Sequence, residues 1–131
     1  LEISNAYDIL KAKTDKIALL HCISSYPTQE NDANLSAIAK LIKSFDCVIG
    51  HSDHTNEIKV PLLAVAAGAQ IIEKHFRIDE RMDCVDAPVS ISESQLKELV
   101  TGIRVIEKIF GDGFMGITSA EKEIVPFRRF S

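Results

Sequence analysis

Cysteine is scarce in this sequence and unsuited to any framework: Cys22, Cys47 and Cys84 are odd in number, far apart, and include no CxxC pair. That excludes a disulfide scaffold and a cysteine zinc site. Cys22 and Cys47 lie in apolar runs, where a reduced cysteine packs as a small hydrophobe. A basic excess is also missing. The formal net charge is -4 and lysines and arginines are scattered among acids, so no cationic stripe exists for nucleic acid or an anionic membrane. No apolar run approaches the roughly 20 residues that span a bilayer, and the basic-then-apolar opening of a secretory signal is absent. The expected partner is a small molecule or another protein chain, and the expected location is cytoplasmic.

With 46% hydrophobic and 26% charged residues over 131 positions, the chain has material for one core, and so for one domain or part of one. It opens at Leu1 in an amphipathic stretch (Ile3, Ala6, Ile9, Leu10) that reads as the tail of a helix begun elsewhere, so a piece of something longer is expected. Thereafter a short apolar run, a polar turn and a helical periodicity recur, the signature of βα units and a parallel sheet in an α/β fold. Lys16 to Cys22 reads as a strand buried on both faces. Asp32 or Asn34 then caps a helix carrying Leu35, Ile38, Ala39 and Ile42 on one side, ending near Phe45.

A second strand, Cys47 to about Ser52, runs into the polar cluster His51 to Thr55. A short helix over Ile58 to Ala67 tolerates Pro61 in its first turn and closes at Gly68 in a left-handed conformation. The third strand is Ala69 to Phe76. Ser92 and Gln95 form a capping box for the last helix, whose apolar side is Leu96, Leu99, Val100, Ile103, Ile106 and Phe110 and whose end is Gly111. From Phe114 to Ser131 there is no clear period, which reads as a linker. Three parallel strands cannot close a barrel, which takes eight, so an open βα layer or an intertwined oligomer is expected of the free chain.

The chemistry-bearing segments are Ser52-Asp53-His54-Thr55 and Glu73-Lys74-His75-Phe76. Alternation along a strand puts Ser52 with His54 on one face, and Glu73 with His75 on one face. If the strands are neighbours, the two histidines converge at the C-terminal ends, where barrel enzymes keep their active sites. Two imidazoles leave positions open for water and substrate oxygens, which suits a catalytic divalent ion such as Mn²⁺, with Mg²⁺ or Co²⁺ as alternatives. A hydrogen-bonded structural histidine at a strand end is the plainer reading.

The strings GHSDHT (Gly50 to Thr55), AAGAxIIEKHF (Ala66 to Phe76) and DxxxS (Asp86 to Ser90) resemble the sialic acid synthase family. So do HCxSxYPT from His21 to Thr28, the helix end GDG from Gly111 to Gly113, and Arg128-Arg129 at the family's entry to an antifreeze-like domain. The resemblance implies the last three βα units of a TIM (β/α)8 barrel over residues 1–112, incomplete in this chain, and a linker over residues 113–131 toward an absent antifreeze-like domain. Members of that family condense phosphoenolpyruvate with an N-acylated aldehyde sugar, release phosphate and give a nine-carbon 2-keto acid. On that pattern His54 and His75 are the metal ligands, Glu73 and Asp86 handle the bound water or protons, Ser52 contacts phosphoenolpyruvate and Tyr26 the sugar.

Blander roles stand beside these. Glu73 can pair with a cation, Asp86 can be a turn aspartate, and Ser90 can support the loop. Asp53 reads as a helix cap, while Lys74 and Phe76 read as packing against outer helices. His51 stands where the family carries a bulky residue, often tyrosine, and Cys84-Val85 before Asp86 leans toward relatives making pseudaminic or legionaminic acid or surface polysaccharide precursors. The resemblance further implies a homodimeric parent whose phosphoenolpyruvate-binding strands are missing here, so the chain alone is expected to be inactive. The competing readings are a metal-dependent barrel hydrolase and a non-catalytic oligomerising piece.

Overall fold

A computed structural model describes residues 2–79, 81 and 83–127; the predicted entry pair Arg128-Arg129 lies outside the described residues. Helix α1 (Glu2–Lys11) precedes three repeats: β1 (Ala18–Cys22) with α2 (Ser36–Ser44), β2 (Val48–Asp53) with α3 (Lys59–Ala66), and β3 (Ile71–Lys74) with α4 (Glu93–Phe110). The strands pair in parallel in the order β1-β2-β3. The expected α/β arrangement with a helix after every strand is the one observed. Among the described residues no helix is long and apolar enough to cross a membrane.

One face of the sheet is covered by helices. Ile49 of β2 packs with Ile38 of α2, Ala64 of α3 and Ala69 in the main core, flanked by Leu19, Cys47 and Ile72. A second cluster of Ile58, Ile91 and Leu99 seats α4, with Leu62, Leu96 and Ile103 around it. At Gly102 a Cβ would stand 2.7 Å from Leu62 Cδ2, so the missing side chain admits the close approach of α3 and α4. The other face of the sheet is more open: Val48 is 38% and Ile71 39% exposed, and β1 is nowhere fully buried. The expectation of a first strand buried on both faces is thus corrected, because only one face of β1 meets a helix layer.

Local chemistry explains most boundaries. The predicted capping box closes at Ser92 and Gln95, each side chain satisfying the other residue's backbone N–H. Gly68 has φ +104°, as its helix-closing role requires. At Gly50 a Cβ would stand 2.7 Å from the Ile71 carbonyl oxygen, so only glycine lets β2 and β3 lie this close. The cap expected at Asp32 or Asn34 is not formed: Asp32 ends a 3-10 turn (Glu30–Asp32), Asn34 takes φ +46°, and Leu35 precedes α2 without a side-chain cap.

The third strand stops at Lys74, two residues short of expectation, because Phe76 pairs instead with Ile91 in an isolated bridge; its ring is 45% exposed rather than packed under helices. The segment read as a featureless linker holds two 3-10 turns, Ser119–Glu121 and Val125–Phe127. Two apolar stripes are left partly bare. Ile3, Ile9 and Leu10 of α1 are exposed while Tyr7 anchors that helix on Phe45, and Val100 and Phe110 of α4 are exposed beside the buried Leu99.

Candidate functional site

The register of β2 on β3 builds the site. Ser52 lies opposite Glu73 and Asp53 opposite Lys74, so the next residues, His54 and His75, leave the sheet side by side. Their rings meet edge to face with centroids 5.3 Å apart. Tyr26, from the loop after β1, stacks on His54 at 4.1 Å and meets His75 edge-on at 5.9 Å, while remaining 55% exposed. Two positions down both strands, on the same face, Ser52 Oγ donates to Glu73 Oε1 at 2.7 Å.

Each imidazole has one nitrogen facing an oxygen acceptor. His54 Nδ1 lies 2.9 Å from the Ile23 carbonyl, and donation there leaves the Nε2 lone pair free. Asp86 Oδ2 lies 3.6 Å from His75 Nδ1, outside hydrogen-bond distance and inside ion-pair range. Ser90 Oγ holds the Asp86 carbonyl at 2.7 Å, the loop-supporting role expected of it. Carbonyls and carboxylates behind imidazoles are the usual means of orienting them toward a metal.

With zinc–nitrogen bonds of about 2.0–2.1 Å as the guide, a centroid separation of 5.3 Å is compatible in distance with one shared ion. Among the described residues no group of three or more His, Cys, Asp or Glu side chains gathers to hold an ion, and His54 and His75 meet as a pair. Such a pair leaves most positions of a divalent ion to water or substrate oxygens. Cys22 is exposed rather than packed as a small hydrophobe, with Sγ 3.8 Å from His54 Nδ1; Cys47 does pack against the core.

The sequence reading missed what lies behind the histidines on the helix-covered face. Asp53, 1% exposed, does not cap α3, whose first turn has no side-chain cap. Its carboxylate instead accepts from Thr55 N (3.2 Å), Thr55 Oγ1 (2.8 Å) and Lys74 Nζ (2.7 Å) and faces His51 Nε2 at 3.2 Å. Lys74, read as packing against helices, is buried by this ion pair and also donates to the Thr55 carbonyl. His51 continues the chain of contacts to β1, with Nδ1 3.0 Å from the His21 carbonyl. Burial pushes the Asp53 carboxyl up, but hydrogen bonds from His51, Lys74 and Thr55 and the Lys74 charge outweigh it and hold it below the usual carboxylate range. The available signal was alternation plus register: His51 and Asp53 share a face, and Lys74 is the partner of Asp53.

Similarity to known proteins agrees with this geometry. A family model described as the NeuB family matches residues 1–115. The chain is 41% identical to the N,N'-diacetyllegionaminic acid synthase of Campylobacter jejuni over 133 aligned positions, covering 99% of this chain and 40% of that protein. The crystal structure of the N-acetylneuraminic acid synthetase of Leptospira borgpetersenii superposes with a TM-score of 0.92 at 45% identity, covering 97% of this chain and 45% of that one. The spore coat polysaccharide biosynthesis protein SpsE of Bacillus subtilis superposes with a TM-score of 0.76 at 34% identity, over 95% of this chain and 39% of that one. The chain thus spans less than half the length of these relatives. Family model, relatives and fold agree, and the chain belongs to the NeuB family.

Proposed function

We propose that this chain forms the metal-holding part of a sialic acid synthase: the last three βα units of a TIM barrel that condenses phosphoenolpyruvate with an N-acylated aldehyde sugar. The observation that carries the reading is the meeting of His54 and His75 at the ends of neighbouring parallel strands, with rings 5.3 Å apart. Strand ends of this kind are where barrel enzymes place their chemistry. The names of the Campylobacter and Leptospira relatives support the reaction class.

In this proposal the two Nε2 atoms hold a divalent ion, Mn²⁺ foremost, with Mg²⁺ or Co²⁺ as substitutes. When bound, the ion supplies Lewis-acid polarisation of the aldehyde carbonyl. The Ile23 carbonyl and Asp86 keep the two rings aimed. Tyr26 offers the sugar an exposed ring and a hydroxyl. Glu73 and Asp86 receive and return protons as phosphate leaves, and Ser52, now donating to Glu73, turns to phosphoenolpyruvate. Charge-assisted contacts to phosphate and carboxylate come from the remainder of the protein, which acts as a homodimer. For the sugar, Cys84-Val85 before Asp86 and the 41% identity to a legionaminic acid synthase favour that group of substrates.

The test uses the full-length protein with phosphate release as readout. His54→Ala and His75→Ala each abolish metal-dependent turnover and leave the circular dichroism spectrum unchanged; turnover with wild-type metal dependence in either variant removes the ligand assignment. The 131-residue chain alone releases no phosphate, and turnover by it would overturn that part of the proposal.

A further inference from the structure

The backbone ladder between β2 and β3 ends at the pair Asp53 and Lys74, so the two histidines stand one residue beyond the last register pair. Backbone bonds hold each tip to a different loop: the His54 carbonyl accepts from Thr28 N, and the His75 carbonyl accepts from Ile91 N. Neither bond joins one tip to the other. Lys74 does. Its Nζ bonds Asp53 Oδ2 at 2.7 Å and the Thr55 carbonyl, gripping the residues on both sides of His54 from the residue next to His75. The side chains of Lys74 and Asp53 are 4% and 1% exposed, so water does not compete for these bonds.

The geometry points to the Asp53–Lys74 ion pair as the positioning device that sets the separation of His54 and His75, an inference that rests on the metal-holding role proposed for those rings. Neither residue touches the space between the imidazoles, since alternation turns both to the helix-covered face. Thr55 fixes the Asp53 carboxylate through its backbone N–H and hydroxyl, and His51 ties it toward β1. Charge-assisted bonds are short and directional, which suits them to fix a distance. A buried ion pair contributes little net stability over an apolar pair of similar volume, so fold stability alone does not account for its presence behind the site.

Two readouts on the full-length protein test this, one of them independent of metal. The deciding variant is Asp53→Asn/Lys74→Met, which removes both charges and leaves neither orphaned. In the metal-free protein the ring-to-ring nuclear Overhauser contact between His54 and His75 is expected in the wild type and lost in the double variant. Co²⁺ titration, followed by visible absorption, is expected to show Kd raised about 10- to 100-fold. Ile38→Ala, in the core away from the site, lowers the thermal midpoint and leaves both readouts unmoved. Wild-type ring contact in a folded double variant overturns the inference.

Should the double variant not fold, Thr55→Val removes one anchor of Asp53 without altering a charge. It is expected to weaken the ring contact, and an unchanged contact there also overturns the inference. If the wild type shows the ring contact yet takes up no Co²⁺, the metal-holding role falls, and the ring contact alone still decides whether the ion pair sets the spacing.

Discussion

The two faces of the sheet carry comparable numbers of polar groups at the strand ends and dispose of them in opposite ways. On the helix-covered face the Asp53 carboxylate is surrounded by Thr55, Lys74 and His51, and the network is sealed from water. On the other face His54 is buried too, under Tyr26, but its contacts fall on one ring nitrogen, while His75, Glu73 and Asp86 are accessible and only partly committed. A network that satisfies itself can only hold shape, whereas one with spare donors and acceptors can take a ligand. The difference teaches which titratable residues to assign to architecture and which to chemistry.

The comparison breaks if the two faces respond alike to mutation. The largest expected effect is on the sealed face. Lys74→Met leaves the Asp53 carboxylate buried without its cation and is expected to cost about 3–5 kcal/mol in urea unfolding. His75→Ala, whose side chain is 31% exposed, is expected to stay within about 0.5 kcal/mol of wild type by the same measurement. Equal losses would show that the open face is structural too.

Acid sharpens the contrast. The Asp53 carboxyl is held below its ordinary value of 3.8, so the unfolded chain binds the proton more readily than the folded one. Its contribution is fully present above that ordinary value and is lost as pH falls through the lower folded value. Urea unfolding between about pH 5 and pH 3 is expected to show stability falling in the wild type and falling less steeply in Asp53→Asn/Lys74→Met. Parallel curves would mean the carboxylate is not the sealed charge described. The smallest effect lies away from both faces: Ser92→Ala opens the capping box of α4 and is expected to cost about 1 kcal/mol while leaving Co²⁺ uptake unchanged.

Much of this was legible in the residues. Alternation alone put Ser52 with His54 and Glu73 with His75, and the run of βα units made their strands neighbours. The Ser92 and Gln95 cap and the Gly68 closure were visible because each depends on side chains or conformations only a few residues apart. The sealed network was not, since Lys74 and Asp53 are 21 positions apart and meaningful only once the register is known. A lysine between Glu73 and His75 in a strand reads as a solvated or packed stem until its partner is identified. Asn34 misled for a related reason: asparagine serves both as a helix cap and in left-handed turns, and here the preceding 3-10 turn selects the second use. The early stop of β3 was hidden because Phe76 looks like strand continuation, while its true partner, Ile91, comes from the loop just before α4.

Gly50 carries a consequence for how this molecule can vary. It has no functional group and stands four residues before His54, yet the backbone of Ile71 occupies the space where a methyl would go. The gap between two reactive rings is therefore inherited in part from a vacancy further down the strands. Conservative replacement by alanine would be felt at the tips as a splaying of strands, so this silent position should tolerate exchange no better than the imidazoles it serves.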